Sequence, residues 1–550
     1  MNETGSNQKK VITIDHKILA KNTFYSYLHT YGLFILSVVN SFIIARIISQ
    51  NEWGFLILTL SYVNIFHLFL TFLPPSLGLT MNFYITKFRT TNENLKLKSF
   101  IKKSIFIRIL FTILIFLFGS IVFIFFIDFF KLNLKENYNL FLILSPMIII
   151  NGLDLVLNSI NQSFNDFQLV VVLLIINNFI YISGLLFFSI FLDSVKIEHI
   201  AILYIISYLI PFLINSLNLF FILKFKIRSS ENEVGFSYRD IFKMLYKYGS
   251  PLSFNTYINN IHRDFRIQSI GIVESPDIVL GFNISLHYSN VLSETINSIN
   301  NPMTITFIKL YNNEQYAQIK RIYHLLFHYI LFITLFLTGL LFFTTDFFLR
   351  IVYGLSYLRF SLICKIYLIS IIFNIQNAFF LTQLRAFNKV NYVFLFTVLS
   401  TSIKIVLFLL GLIYYGIIGA LLGIFIGNVI MLLILFILNY KIFKIKPQIN
   451  KFIFQFLIFF ISLFMTLVLR DLFLFELNKS IIKSLGFSLF QNFEILSIGL
   501  FIIIYLSLNI IFKVITTSDI ENIEAFFYKE SKMNQIIRKI LKFLKRITRA

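Results

Sequence analysis

Apolar runs of about eighteen residues or more recur from one end of this chain to the other, and each would cross roughly 30 Å of hydrocarbon as a helix. That recurrence restricts the fold more than any motif does. A backbone in lipid must satisfy its own hydrogen bonds, so the runs can only be helices packed side by side. The bulk figures agree: 57% of the 550 residues are hydrophobic and 13% charged, and mean hydropathy is +0.81. No soluble globular class has that balance. The expected fold is an all-α polytopic membrane protein.

Fourteen spans are expected, near 24–48, 52–73, 104–127, 138–160, 168–192, 198–223, 247–272, 278–304, 322–349, 357–384, 391–414, 416–440, 451–474 and 489–513. With the N-terminus in the cytoplasm, inner segments carry 34 Lys and Arg and outer ones 9, with 5 left inside spans. Basic loops stay on the cytoplasmic side, so both termini are expected inside, at a cell membrane. The net charge of +22 would suggest nucleic acid in a soluble protein. Here it marks topology and contact with anionic membrane lipids, and no nucleic-acid partner is expected. Cys364 is the only cysteine, which excludes a disulfide within the chain and argues against a cysteine metal site. Met1–Lys21 has no apolar core of its own and does not read as a cleavable signal peptide. The tail contains IIRKILKFLKRITR, with Ile536, Ile537, Ile540, Leu541, Leu544 and Ile547 at helical spacing. It reads as a basic amphipathic helix on the membrane surface.

Three local patterns recur at nearly one offset. Glu52 and Asp277 stand in acid-then-glycine turns, Glu93 and Glu314 in basic segments, and Phe164 and Phe387 before an Asn, at offsets of 225, 221 and 223 residues. A duplicated six-helix unit explains a constant spacing that shared loop composition does not. The expected division is 1–23 cytoplasmic, 24–223 a first lobe, 224–246 a linker, 247–440 a second lobe, 441–515 two further helices, and 516–550 the tail. Two parallel lobes around a midplane site are a transporter design.

At this point the residues resemble a family. RIISQNEWGFLIL, with Arg46, Glu52 and Gly54, resembles the first turn of the Wzx-type oligosaccharide flippases. These are polysaccharide biosynthesis proteins of the MATE/multidrug–oligosaccharidyl-lipid–polysaccharide superfamily. Gly249-Ser250-Pro251, Asp264, Gly271, Gly281 and Pro302 match the opening of their second half, and Gly354 with Tyr357 matches a later turn. The turn Ala386-Phe387-Asn388 departs from the pattern, with Asn388 where glycine is common. The resemblance covers roughly residues 20–440. It implies passage of a polyprenyl-(pyro)phosphate-linked glycan from the inner to the outer leaflet, with a glycan polymerase or glycosyltransferase as a possible partner.

Charge inside a span costs about 2.5–3.5 kcal/mol per residue on insertion scales, so intramembrane charges are the site candidates. They are Arg263, Asp264, Arg266, Glu294, Lys404, Lys365 and Asp154, with Arg46 at the outer end of the first span. Guanidinium suits the carrier phosphate or a sugar acid. A salt bridge between helices is the plainer role for each, and Glu294 with Lys404 could form one. Residues 263 and 264 point about 100° apart on a helix, so the first three cannot all line one face. Arg108, one turn from a basic loop, is expected to reach back to the membrane surface. His67 falls mid-span, and Pro146 is expected to kink its helix. There is no G-x-x-x-x-G-K-S/T loop for ATP. No catalytic residue, metal or cofactor is expected, and a coupling ion would be H+ or Na+. The rival readings are an ion-coupled drug or metabolite antiporter of the same fold, and a membrane-embedded glycosyltransferase or polymerase.

Overall fold

The computed structural model describes residues 32, 35–126, 134–164, 166–192, 194–227, 235–312, 315–387, 389–444, 448–480, 493–512 and 514. Some side chains within these helices, those of 294–306 among them, fall outside the description. So do the expected N-terminal segment 1–23, the middle of the linker, and the amphipathic tail.

Helices follow one another throughout, and no strand is present among the described residues. They are α1 (Ile35–Ile47), α2 (Gln50–Phe69), α3 (Leu77–Thr90), α4 (Asn94–Phe126), α5 (Leu134–Leu144), α6 (Met147–Ser163), α7 (Phe167–Phe191), α8 (Ile197–Phe221), α9 (Tyr238–Val273), α10 (Pro276–Asn312), α11 (Tyr316–Phe348), α12 (Ser361–Ala386), α13 (Val390–Phe443), α14 (Ile449–Ser480) and α15 (Phe493–Ile511). The fold is all-α and polytopic. Each of the fourteen expected intervals overlaps a helix. Nine segments among the described residues are long and apolar enough to cross a membrane. One of these, Asn391–Phe443, turns at Tyr415 and Gly416 and so covers two expected spans. α9 and α10 are not among the nine, because Arg, Asp, Asn and Ser interrupt their apolar residues.

Polarity runs inside out. On α4, Phe106, Leu110, Leu114, Leu117, Phe118, Ile121 and Phe125 are exposed, as a lipid-facing stripe requires. Meanwhile Asn161, Ser207, Asn215, Thr334, Thr338, Ser370 and Ser462 are buried. The buried hydroxyls return their protons to the helix itself, Thr334 to the Ile330 carbonyl and Thr338 to the Thr334 carbonyl.

Contacts divide the chain into two units, Met1–Ile272 and Val273–Ala550. The division falls one helix later than the linker at 224–246. α9 packs into the first unit, where a Cβ at Gly249 would collide with the Pro75 carbonyl and Gln268 Nε2 donates to the Leu58 carbonyl at 2.7 Å. In the second unit the two halves of α13 pack almost backbone to backbone. A side chain at Gly419 or Gly423 would strike the Gly411 or Leu407 carbonyl, the close approach that small residues permit in membranes. Gly416 makes the turn with φ +61°, and the Glu274 carboxylate accepts the Ile417 N–H at 3.0 Å, capping the returning half.

The Glu52 turn has a local cause. Glu52 N–H donates to Ser49 Oγ at 3.3 Å and Ser49 N–H to Glu52 Oε2 at 2.9 Å, a capping box that starts α2. Pro146 opens α6 after a break behind α5, as its missing N–H dictates. Pro211 sits inside α8 and deprives the Ser207 carbonyl of its helical donor. Asn177 Nδ2 on α7 supplies the missing bond at 2.9 Å.

α2 ends at Phe69, just before Pro74-Pro75, and a further helix, α3, lies between the expected spans 52–73 and 104–127. Arg108 does not reach for the surface. It is 3% exposed, and its guanidinium donates to the carbonyls of Leu70, Leu73 and Gly152, the last at 2.9 Å. The broken end of α2 leaves carbonyls unsatisfied in apolar surroundings, and the guanidinium fork meets them.

Candidate functional site

The first unit gathers its polar side chains on the facing sides of α6 and α8. Asp154, Asn158 and Asn161 lie four and three residues apart, on one face of α6. Asn215 and Asn218 do the same on α8. Asn158 Nδ2 and Asn215 Nδ2 each donate to the Asp154 carboxylate at 2.8 Å. Asn215 Nδ2 also reaches Asn158 Oδ1 at 3.0 Å. Asn161 Nδ2 donates to Asn215 Oδ1 at 2.7 Å, and Asn218 Nδ2 to Asn161 Oδ1 at 2.9 Å. Tyr208, two turns from Asn215, interacts with Asp154 electrostatically and hydrogen-bonds Tyr204 at 3.4 Å. Tyr181 packs edge-on against Tyr204. The result is an amide and phenol seam ending on one carboxylate.

Arg263 faces this seam. Its side chain is 54% exposed and lies 3.5 Å from Asp264, and its charge acts on Tyr204. Asp264 is buried, and its backbone carbonyl accepts from Ser61 Oγ at 3.1 Å. Arg266 is buried as well, with Nε on the His262 carbonyl at 3.0 Å. The three neighbours thus part company as their helical angles require. Arg46 lies apart from them, folded over the Phe42 ring with a hydrogen bond to the Phe42 carbonyl at 2.6 Å. His67 is half-buried, the Asn151 backbone supports its ring, and its buried Nε2 has no hydrogen-bond partner among the described residues.

In the second unit the candidates stand among fixed partners. Lys404 Nζ donates to Asn374 Oδ1 at 2.9 Å, and its stem lies against Gly427. Lys365 pairs with Asp346 at 2.7 Å, which also takes the Ser361 hydroxyl. Arg350 pairs with Glu494, joining α15 to the end of α11. Arg359 pairs with Asp277 at 2.8 Å. The Glu294 side chain lies outside the described residues. Among the described residues no three His, Cys, Asp or Glu come together as metal ligands.

Sequence reasoning centred on charge misses the amide seam. Its signal is nonetheless present, as Asn at 158, 161, 215 and 218, at helical spacing in otherwise apolar runs.

No protein-family model and no curated protein matches the chain. Solved structures do. An inward-facing multidrug resistance MATE family transporter of the MOP superfamily aligns with a TM-score of 0.64 at 12% identity, covering 74% of this chain and 94% of its own. The lipid II flippase MurJ, in an inward closed conformation, aligns at 0.60 and 17%, covering 89% and 98%. The Vibrio cholerae MATE transporter VcmN aligns at 0.53 and 13%, covering 78% and 97%. The chain has the fold these proteins share.

Proposed function

We propose that this protein is a flippase that carries a polyprenyl-(pyro)phosphate-linked oligosaccharide from the cytoplasmic to the outer leaflet by alternating access. The product would serve cell-surface polysaccharide synthesis. The supporting observation is the extent of the likeness. The flippase accounts for 89% of this chain, whereas the two MATE transporters account for 74% and 78%. A chain built only to the drug-transporter plan would have no use for α14 and α15. The seam suits the cargo too, since amides and phenols match sugar hydroxyls and Arg263 presents a cation for phosphate.

The drug or metabolite antiporter is the second reading, favoured by the higher TM-score of the first MATE transporter. One experiment separates the two. The gene is deleted in its own host, and lipid-linked glycans in each leaflet are labelled with a membrane-impermeant reagent. Inner-leaflet accumulation with loss of surface glycan is the expected result. An unchanged distribution, in a host that carries no second copy of the gene, overturns the flippase reading and leaves the antiporter. Shortened precursors alone would indicate an enzyme.

A further inference from the structure

Charge in the second unit is sorted by end. The described carboxylates, Glu274, Asp277, Asp346, Asp471 and Glu494, lie about where α10 and α15 begin or where α11 and α14 near their ends. At the opposite end every charged side chain that is described is basic: Lys320, Lys389, Lys441, Lys444 and Lys451.

At that basic end α11 and α14 bring four side chains together. His324 and His328 stand four residues apart, on one face of α11. His328 Nε2 is hydrogen-bonded to Oε1 of Gln448, just before α14, at 2.7 Å. An amide oxygen only accepts, so Nε2 carries the proton. The His324 ring has no hydrogen-bond partner among the described residues, and the charges of Lys320 and Lys451 act on it. Neither lysine has a described carboxylate within ion-pair distance.

A cleft lies between the two helices, lined by Tyr323, His324, Phe327, His328, Phe436 and Gln448. Phe327, Phe436 and Phe452 pack on one another beneath it. Its floor is therefore apolar and its rim basic. Its free interior is about 10 Å³, space for one water-sized atom. A whole metabolite does not fit, but one oxygen of a group presented from outside does. The apolar stretches Phe327–Tyr353 and Ile449–Leu472 both begin here, which sets the cleft at the level of lipid headgroups. Exposed Ile453, Leu457 and Ile461 run along α14 from the same point and offer acyl chains a surface.

We propose that this cleft binds the phosphate group of an anionic membrane lipid, with Lys320 and Lys451 as fixed charges and His324 and His328 as donors. The basic end is the one expected in the cytoplasm, so the lipid belongs to that leaflet. Free phosphate shares the chemistry but has no chains to lay on α14. A bound phosphate favours the charged imidazole, so binding tightens as pH falls through the histidine range. The other titratable groups described around the pair are Lys320, Tyr323 and Tyr329 of α11, Tyr440, Lys441 and Lys444 at the end of α13, Lys451 of α14 and Tyr505 of α15. α10 and α12 present none at this end among the described residues, and none of the group is a carboxylate. The inference goes beyond the transport reading and stands without it.

The test uses the full-length protein in detergent micelles with nitrogen-labelled histidine rings, read by NMR. His324→Gln and His328→Gln assign the two signals. Dihexanoyl phosphatidylglycerol is the lipid probe, and dihexanoyl phosphatidylcholine and inorganic phosphate are titrated separately. Both signals should shift saturably with phosphatidylglycerol, about tenfold more tightly than with either of the others. Inorganic phosphate binding as tightly as the lipid overturns the lipid as source and leaves a phosphate site. No saturable shift with any probe overturns the site. Lys320→Gln with Lys451→Gln should weaken lipid binding about tenfold or more. Lys389→Gln with Lys441→Gln removes the same charge from the same end and should change binding by less than about twofold. All four lysines are exposed, so these variants keep the fold. Equal losses from the two pairs mean diffuse attraction and overturn the cleft. Lipid binding should be about fivefold tighter near pH ~6 than near pH ~8. Phosphatidylglycerol carries one charge at both, so an equal affinity removes the histidines from the site.

Discussion

The two units treat buried polarity in opposite ways. In the second, three carboxylates have a cation within reach, Asp346 with Lys365, Glu494 with Arg350 and Asp277 with Arg359, while Glu274 accepts a backbone N–H. These pairs close electrically and tie helices together. In the first unit the buried cation Arg108 donates to backbone carbonyls and Asp154 accepts from amides, while Asp264 alone of its buried carboxylates lies beside a cation, Arg263 at 3.5 Å. Ion pairs resist any change in either partner's charge.

Substitutions can break that contrast. The largest effect is expected from Arg108→Ala, which removes the donor to the Leu70 and Leu73 carbonyls at the broken end of α2 and a second donor from the Gly152 carbonyl, and should lower stability by about 3 kcal/mol. Trp53, the only tryptophan, is buried near the start of α2, the helix whose far end Arg108 closes. Its fluorescence during thermal unfolding in detergent would report the loss. Asn215→Leu comes next. It removes three hydrogen bonds of a side chain that is 0% exposed and should cost about 2 kcal/mol by the same measurement.

Asp346→Asn should cost about 1–2 kcal/mol, since it strands Lys365 in a partly exposed pair. Asp154→Asn is the sharp comparison. The same chemical change at a carboxylate without a cation should alter stability by less than about 1 kcal/mol. Equal losses from the two Asp→Asn changes, read by chemical denaturation, would erase the distinction between the units.

The smallest effect lies outside the membrane, at the start of α9. The Ser237 hydroxyl, and after it the Ser237 backbone N–H, hold the Asp240 carboxyl below its ordinary pKa, with Lys243 and Arg239 adding to this. A depressed carboxyl pKa gives a contribution that is present above the unfolded value and is lost as pH falls through the folded one. Amide protection at the first turn of α9, measured relative to the intrinsic exchange rate at each pH, should therefore fall in acid, and Asp240→Asn should remove that pH dependence while leaving α6 and α8 unchanged.

Much of the fold is legible in the sequence. Apolar runs mark helices, Pro74-Pro75 and Pro146 mark breaks, and Gly416 lies at the boundary between two spans. Each is a local property of the chain. The site is less legible. Asp154, Lys365 and Lys404 can be picked out as charges within spans, but their company cannot. Asp154 meets Asn215, 61 residues away, while Lys365 meets Asp346 across a turn. A basic loop one turn away predicts Arg108 at the surface. Two of the three carbonyls that hold it inward, those of Leu70 and Leu73, are left open because α2 breaks beside it.

By itself, then, the sequence determined that this chain is a bundle of membrane helices and where most of them begin and end. Lipid offers the backbone no partners, so composition and length decide the matter. Only the tertiary structure decided which buried polar groups meet a countercharge and which meet neutral donors. That depends on the rotation of each helix about its axis and on the neighbour it meets, and neither is written in the spacing of one segment. Asp154 and Asp346 are the same residue type in similarly apolar runs, and what packs beside them sets one among neutral amides and makes the other half of an ion pair.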